Sequence, residues 1–146
     1  MGEPLLSLRD LTVAFPHGEA LSQVSFDVPA GQTLAVVGES GSGKTLSARS
    51  VLRILPKEAR TTSGTITFDG TDVTALPPRD PRLKSLRGGA IGMIYQEPMA
   101  ALSPYYTIGN QIEETLIQHG ATRRDARARA LETLREVAMP EPEQRL

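Results

Sequence analysis

Along this chain the spacing of apolar residues changes period several times. In LTVAF, Leu11, Val13 and Phe15 recur at every second position, as do Val24, Phe26 and Val28 in VSFDV, so both stretches predict strands with one buried face. PHGEA between them is the turn. After a break at PAG (Pro29 to Gly31), TLAVVG is a short unbroken apolar run, which predicts a central strand buried on both faces. KTLSARSVLRIL then sets Leu46, Val51, Leu52 and Leu55 near one side of a helix that Pro56 stops.

SGTITFDG alternates again, with Ile66 and Phe68 inward and an Asp69-Gly70 turn, which predicts an edge or hairpin strand. TALPPRDPRLKSLRGGA mixes proline, glycine and charge and predicts a loop holding at most a short helix near Leu83 to Leu86. IGMIYQ reads as a second buried strand. From Thr107 the period is helical: Ile108, Ile112, Leu116 and Ile117 form a stripe, and Gly120 stands where a C-terminal cap belongs. Thr122 and Asp125 open a last helix in the manner of a capping box, with Ala130, Leu131, Leu134, Val137 and Ala138 apolar and Arg123, Arg124, Arg127 and Arg129 on a solvated face.

The 146 residues, 39% of them hydrophobic, suffice for one modest domain or for part of a larger one. A net charge of −1 gives no global field for nucleic acid or an anionic membrane, so any anion binding has to be local, and no nucleic-acid partner is expected. There is no cysteine, which excludes a disulfide framework and thiolate metal sites. No apolar stretch approaches the roughly 18 residues of a membrane span, and MGEPLLSLRD lacks the pattern of a signal peptide. A soluble, intracellular chain is expected.

VVGESGSGKT carries the chemistry. Gly38, Gly43, Lys44 and Thr45 fit G-x-x-x-x-G-K-[ST], between an expected strand and an expected helix, the setting in which that pattern forms a phosphate cradle. Glycines let backbone N–H groups close on phosphate oxygens, and the helix start adds its own unpaired N–H groups. The expected binding residues are Gly38, Ser40, Gly41, Ser42, Gly43, Lys44 and Thr45, with Lys44 a point charge for the outer phosphates and the Thr45 hydroxyl a ligand suited to Mg²⁺.

A cradle alone does not choose among kinases, GTPases and transport ATPases, but a long β-patterned stretch precedes this one. LTVAFPHGEALSQVSFDVPAGQTLAVVGESGSGKT together with IGMIYQEPMAALSPYYTIGNQI resembles the ATP-binding subunit of an ABC transporter, more narrowly the importers of oligopeptides, dipeptides and nickel, from about Leu5 to the chain's end. The resemblance implies an α/β P-loop NTPase fold with an N-terminal antiparallel β portion and the start of a helical subdomain. Residues 1–146 would be the N-terminal part of one such domain, with a β-subdomain and P-loop core at 5–96 and a helical start at 97–146. It implies ATP and Mg²⁺ as ligands and a peripheral place on the inner face of the cell membrane.

The resemblance also assigns roles. Gln96 matches the Q-loop glutamine, catalytic and able to reach Mg²⁺ or the attacking water. Phe15 matches the aromatic that stacks on adenine, while its spacing equally suits core packing. His17 offers itself there too. The segment Pro98 to Ile108, with Met99, Leu102, Tyr105 and Tyr106, matches the surface that receives transmembrane permease subunits; burial of the tyrosines in the chain's own fold is the other reading. His119, at a helix C-terminus, reads as compensating the dipole. A second ATP-binding domain is the other implied partner. An L-S-G-G-Q-like signature, an apolar strand ending in Asp-Glu and a switch histidine do not occur in the sequence. The chain therefore reads as truncated, and the 146 residues alone are expected to bind nucleotide without hydrolysing it. A P-loop kinase or GTPase, or an interaction fragment without turnover, are the alternatives.

Overall fold

The computed structural model of the chain describes residues 3–146, apart from the side chains of Pro98 and Ala100. Contacts group the chain into two units, Met1–Ile91 and Gly92–Leu146, a division ahead of Gln96 that puts this residue in the second unit.

In the first unit β1 (Leu6–Phe15) lies between β2 (Gly18–Val28) and β3 (Arg60–Phe68), and β3 turns into the short β4 (Thr71–Asp72). All pairs are antiparallel. The β3–β4 turn is the expected Asp69-Gly70: both residues have positive φ, 46° and 71°, as a two-residue hairpin with the right twist requires. Helices α1 (Lys44–Val51) and α2 (Pro81–Leu86) complete the unit. Leu8, Leu11, Val13 and Leu21 from the hairpin, Ile66 from β3, Val51 from α1 and Leu83 and Leu86 from α2 form one core.

The β1–β2 hairpin is not regular. Between the pairs Leu8↔Phe26 and Leu11↔Val24, β1 advances three residues while β2 advances two; between Leu11↔Val24 and Val13↔Leu21 the counts reverse. Each strand thus carries an extra residue, with a left-handed residue in each bulge, Asp10 at φ 48° and Gln23 at φ 51°, and a third shift at the tip, from Val13↔Leu21 to Ala14↔Glu19, gives β2 a second extra residue. The amides that the bulges take out of the ladder are satisfied crosswise. Asp10 N–H donates to Ser25 Oγ of β2 (2.8 Å), and Gln23 N–H donates to Thr12 Oγ1 of β1 (3.2 Å). On the other side of β1 the excursion presses on β3, where a Cβ at Gly64 would stand 2.5 Å from the carbonyl oxygens of Arg9 and Asp10.

Helix α1 stops at Val51, short of the expected Leu55, because the chain reverses before Pro56. Arg53 adopts φ 52°, and the amides of Arg53 and Ile54 close back on the carbonyls of Ser50 and Arg49, a Schellman ending with arginine where glycine is usual. Tertiary bonds hold that conformation. The Arg53 guanidinium donates to the carbonyls of Val73 and Thr74 (3.1 and 3.3 Å) and of Leu76, while Arg87 donates to the carbonyls of Leu52 and Arg53 (2.8 and 3.0 Å).

The two expected buried strands differ from expectation. TLAVVG and IGMIYQ run without helix or ladder, apart from one isolated parallel bridge between Arg87 and Ile91, and neither is buried as a central strand would be: Val37 is 88% and Ile94 92% exposed, although Ile91 packs against the core. A central strand owes its hydrogen bonds and its burial to neighbouring strands on both sides, and among the described residues neither run belongs to a sheet.

In the second unit α3 (Ile108–Gln118) packs on α4 (Arg123–Glu136), with Ala126, Ala130 and Leu134 buried. Thr107 and Thr122 cap the two helices, and the Thr122 hydroxyl bonds both the amide and the carboxylate of Asp125. Gly120, φ 97°, ends α3 in the expected place. The four arginines lie exposed as expected. Val137 and Ala138 fall beyond the end of α4, and both are exposed.

Gly64→Ala should destabilise the first unit by about 1–3 kcal/mol through its φ of 86° alone, and by more once the two carbonyls of β1 are displaced. Chemical denaturation of the pair of proteins checks it; equal midpoints would mean the bulge is not tight against β3.

Candidate functional site

The residues of the expected cradle lie where β2 and α1 meet. Residues 31–42 are exposed. Glu39 to Ser42 form a turn closed by Ser42 N–H on Glu39 O (3.2 Å), with Gly41 at φ 84°. Gly43 is the N-cap of α1, left-handed at φ 91°, and no side chain caps the helix. The helix therefore opens onto the loop with its first amides free of a side-chain acceptor, which is the arrangement a polyanion can take up.

Glycine is required at 43 for a second reason. A Cβ there would stand 2.2 Å from Leu21 Cδ2 and 3.3 Å from Ala20 O. Leu21 is only 4% exposed and belongs to the core, so moving it aside would disturb that packing. The β1–β2 hairpin is the back wall of the loop.

Lys44 lies in the first turn of α1, and its ammonium is aimed into the loop rather than into solvent. It donates to Gly38 O (2.7 Å), Glu39 O (2.6 Å) and Ser42 Oγ (3.2 Å). The positive charge is thus held over the turn that the glycines shape. Thr45, next in the helix, is exposed. Gly38, Ser40, Gly41, Ser42, Gly43, Lys44 and Thr45 are accordingly gathered around one loop.

Phe15 ends β1, paired with Gly18 across the exposed Pro16–His17 turn. It is half-buried and stands outside the core cluster, although Leu11 and Val13 belong to it. Gln96 lies exposed in the second unit, in irregular chain after IGMIY. Of the segment Pro98 to Ile108, Pro98–Ala101 is a 3₁₀ turn, and Met99, Tyr105 and Tyr106 are 77%, 88% and 67% exposed, so the tyrosines are not buried in the chain's own fold. His119 is the C-cap of α3. Sequence reading missed the back wall at Ala20 and Leu21 and the arginines that end α1. Two successive polar residues inside an otherwise alternating strand, Arg9-Asp10 and Ser22-Gln23, were the available signal for the bulges.

Residues 21–146 match the family described as ABC transporter. The chain belongs to that family. It is 51% identical over 150 residues to the peptidoglycan transport ATP-binding protein YejF of Agrobacterium fabrum, covering 99% of this chain and 27% of the relative. To the dipeptide transport ATP-binding protein DppD of Bacillus subtilis it is 39% identical, covering 99% of this chain and 44% of the relative. The chain thus spans less than half the length of these curated relatives. Among solved structures it is similar to the ATP-binding cassette MJ0796, a dimer in a post-hydrolysis state bound to ADP and Pi, with a TM-score of 0.76 at 26% identity over 93% of this chain and 58% of that one. The α/β P-loop NTPase class is therefore the fold of this ABC protein. Among its described residues no helix is long and apolar enough to cross a membrane.

Gly43→Ala should destabilise the first unit by about 1–3 kcal/mol from backbone strain and abolish polyphosphate binding by pushing the loop off Leu21. Denaturation midpoints and titration with Mg-tripolyphosphate measure the two effects. Retention of both stability and binding would mean that the hairpin does not back the loop.

Proposed function

We propose that this chain binds MgATP in the loop Gly38–Thr45 and serves, within a longer subunit, as the ATP-hydrolysing part of an importer of peptide-like substrates. The observation that carries the reading is the uncapped start of α1 behind a glycine loop into which Lys44 directs its ammonium. The fit is chemical: amides without a side-chain acceptor and one fixed cation complement a polyphosphate. When bound, ATP supplies a phosphoanhydride whose hydrolysis is strongly favourable.

The chain's own residues divide the work. Loop amides and Lys44 hold and orient the phosphates. The Thr45 hydroxyl is the protein ligand for Mg²⁺. Phe15, outside the core and at the tip of the hairpin that walls the loop, stacks on the base. The peptide cargo rests on the relatives, which are named for transport of dipeptides and peptidoglycan. A second ATP-binding domain and membrane subunits are the partners, the latter docking on the exposed Met99, Leu102, Tyr105 and Tyr106, since aromatic and methionine side chains are favoured at contact surfaces. This places the subunit on the cytoplasmic face of the cell membrane.

Lys44→Ala in the complete subunit should weaken MgATP binding by about 1.5–3 kcal/mol, the worth of a charged hydrogen bond, with little change in melting temperature. Calorimetric titration beside a melting curve decides it, and unchanged affinity would refute the assignment. Replacing Tyr105 and Tyr106 together by alanine should release the subunit from its membrane partners in a pull-down while MgATP affinity stays as it was. Loss of folding instead would return the tyrosines to a structural role.

A further inference from the structure

The side of the β1–β2 hairpin that meets the phosphate loop is its inner face. Leu21, which fills the space a Cβ at Gly43 would need, pairs with Val13, and both are core residues. Phe15 follows Val13 by two residues in β1, and the further shift at the tip, from Val13↔Leu21 to Ala14↔Glu19, puts its extra residue in β2, so alternation within β1 sets Phe15 on the face of Val13, roughly 7 Å further along at about 3.4 Å per residue. That face changes parity along the hairpin. In β1 the inward residues are Leu6 and Leu8 before the bulge and Leu11 and Val13 after it; in β2 they are Leu21 on one side and Val24 and Phe26 on the other. An uninterrupted β1 that buried Leu6 and Leu8 would turn Leu11, Val13 and Phe15 away from the loop.

Each strand therefore holds one left-handed residue, and each bulge amide is given a hydroxyl acceptor from the opposite strand. The Ser25 hydroxyl also donates back to Asp10 Oδ1 (3.2 Å), fixing the side chain that shapes the first bulge. Non-glycine residues are strained in this conformation, so the two bulges persist against their own strain.

We propose that the paired bulges are a positioning device for base recognition: they rotate the tip of the hairpin so that Phe15 faces the side of the phosphate loop on which a purine base would lie. Thr12, Ser25 and Asp10 are then positioning residues that act through Phe15. This rests on Phe15 being the stacking residue of the proposed site.

The test is carried out on the complete subunit with two probes, MgATP and Mg-tripolyphosphate, the second having phosphates and no base. Phe15→Ala should weaken MgATP about tenfold, within the range of one base–aromatic stack, and leave tripolyphosphate unchanged. Thr12→Val with Ser25→Ala should give a loss of the same kind, several-fold for MgATP and none for tripolyphosphate. Thr12→Ser with Ser25→Thr, which keeps both hydroxyls, should restore it. Adding Phe15→Ala to the double variant should cost nothing more, because the two changes act on one contact. If the double variant fails to fold, Ser25→Ala alone, at an exposed hydroxyl, carries the comparison. Equal losses for both probes, an unchanged MgATP affinity in a folded bulge variant, or additive losses would overturn the proposal. If Phe15→Ala itself leaves MgATP unaffected, the stacking assignment falls and the positioning role falls with it, a result distinguishable from failure of the bulge variants alone.

Discussion

A Cβ at residue 43 would stand 2.2 Å from Leu21 Cδ2, and the arrangement of the first unit depends on that closeness. It joins two layers that are separate in sequence, the antiparallel hairpin and the start of α1. Because Leu21 is a core residue, the loop is anchored to the best-packed part of the unit rather than to its surface. The same glycine opens the helix, so one position both seats the loop and leaves the first amides of α1 without a side-chain acceptor. A larger residue would have to move Leu21, and with it Val13 across the hairpin.

The other end of α1 is fixed by charge rather than by smallness. Arg53 reverses the chain in a conformation glycine would adopt more readily, and its guanidinium takes up carbonyls of the segment after β4. Arg87 adds bonds to the last carbonyls of the turn. These carbonyls would otherwise be unpaired, as at any helix end. Two arginines thus tie α1 to β4 and α2, and the loop at the helix start is held from behind along the helix as well as from the hairpin.

What could be read from the sequence was what is local. The cradle pattern, the Asp69-Gly70 turn, the cap Thr122 with Asp125, and the glycine ending at Gly120 each depend on residues within a few positions of one another. The bulges were not legible in the same way, because Leu11, Val13 and Phe15 alternate cleanly by themselves and the irregularity shows only against Leu8 and the partner strand. TLAVVG and IGMIYQ were legible as extended and apolar, but a ladder is set by partner strands and not by the run itself, and among the described residues these runs form none. Helix α1 was expected to run on to Leu55, because the side chains that reverse it are bound by residues twenty and more positions away. The exposure of Tyr105 and Tyr106 is likewise a tertiary fact that composition and spacing left open.

The reciprocal bulges also constrain how the sequence can change in length. A single-residue deletion in β1 near Asp10 would leave the extra residue of β2 opposed by nothing, and the hairpin would slip. Matching deletions in both strands would restore their mutual pairing, with a third needed in β3, where Thr62 is extra between Thr12↔Ser63 and Val13↔Thr61, but would turn the tip half of the hairpin over, exposing Leu11, Val13 and Leu21 unless apolar and polar positions were exchanged there as well. In an alignment of this hairpin, gaps near residues 10 and 23 should therefore occur together or not at all, and where they occur the hydrophobic columns beyond them should shift by one.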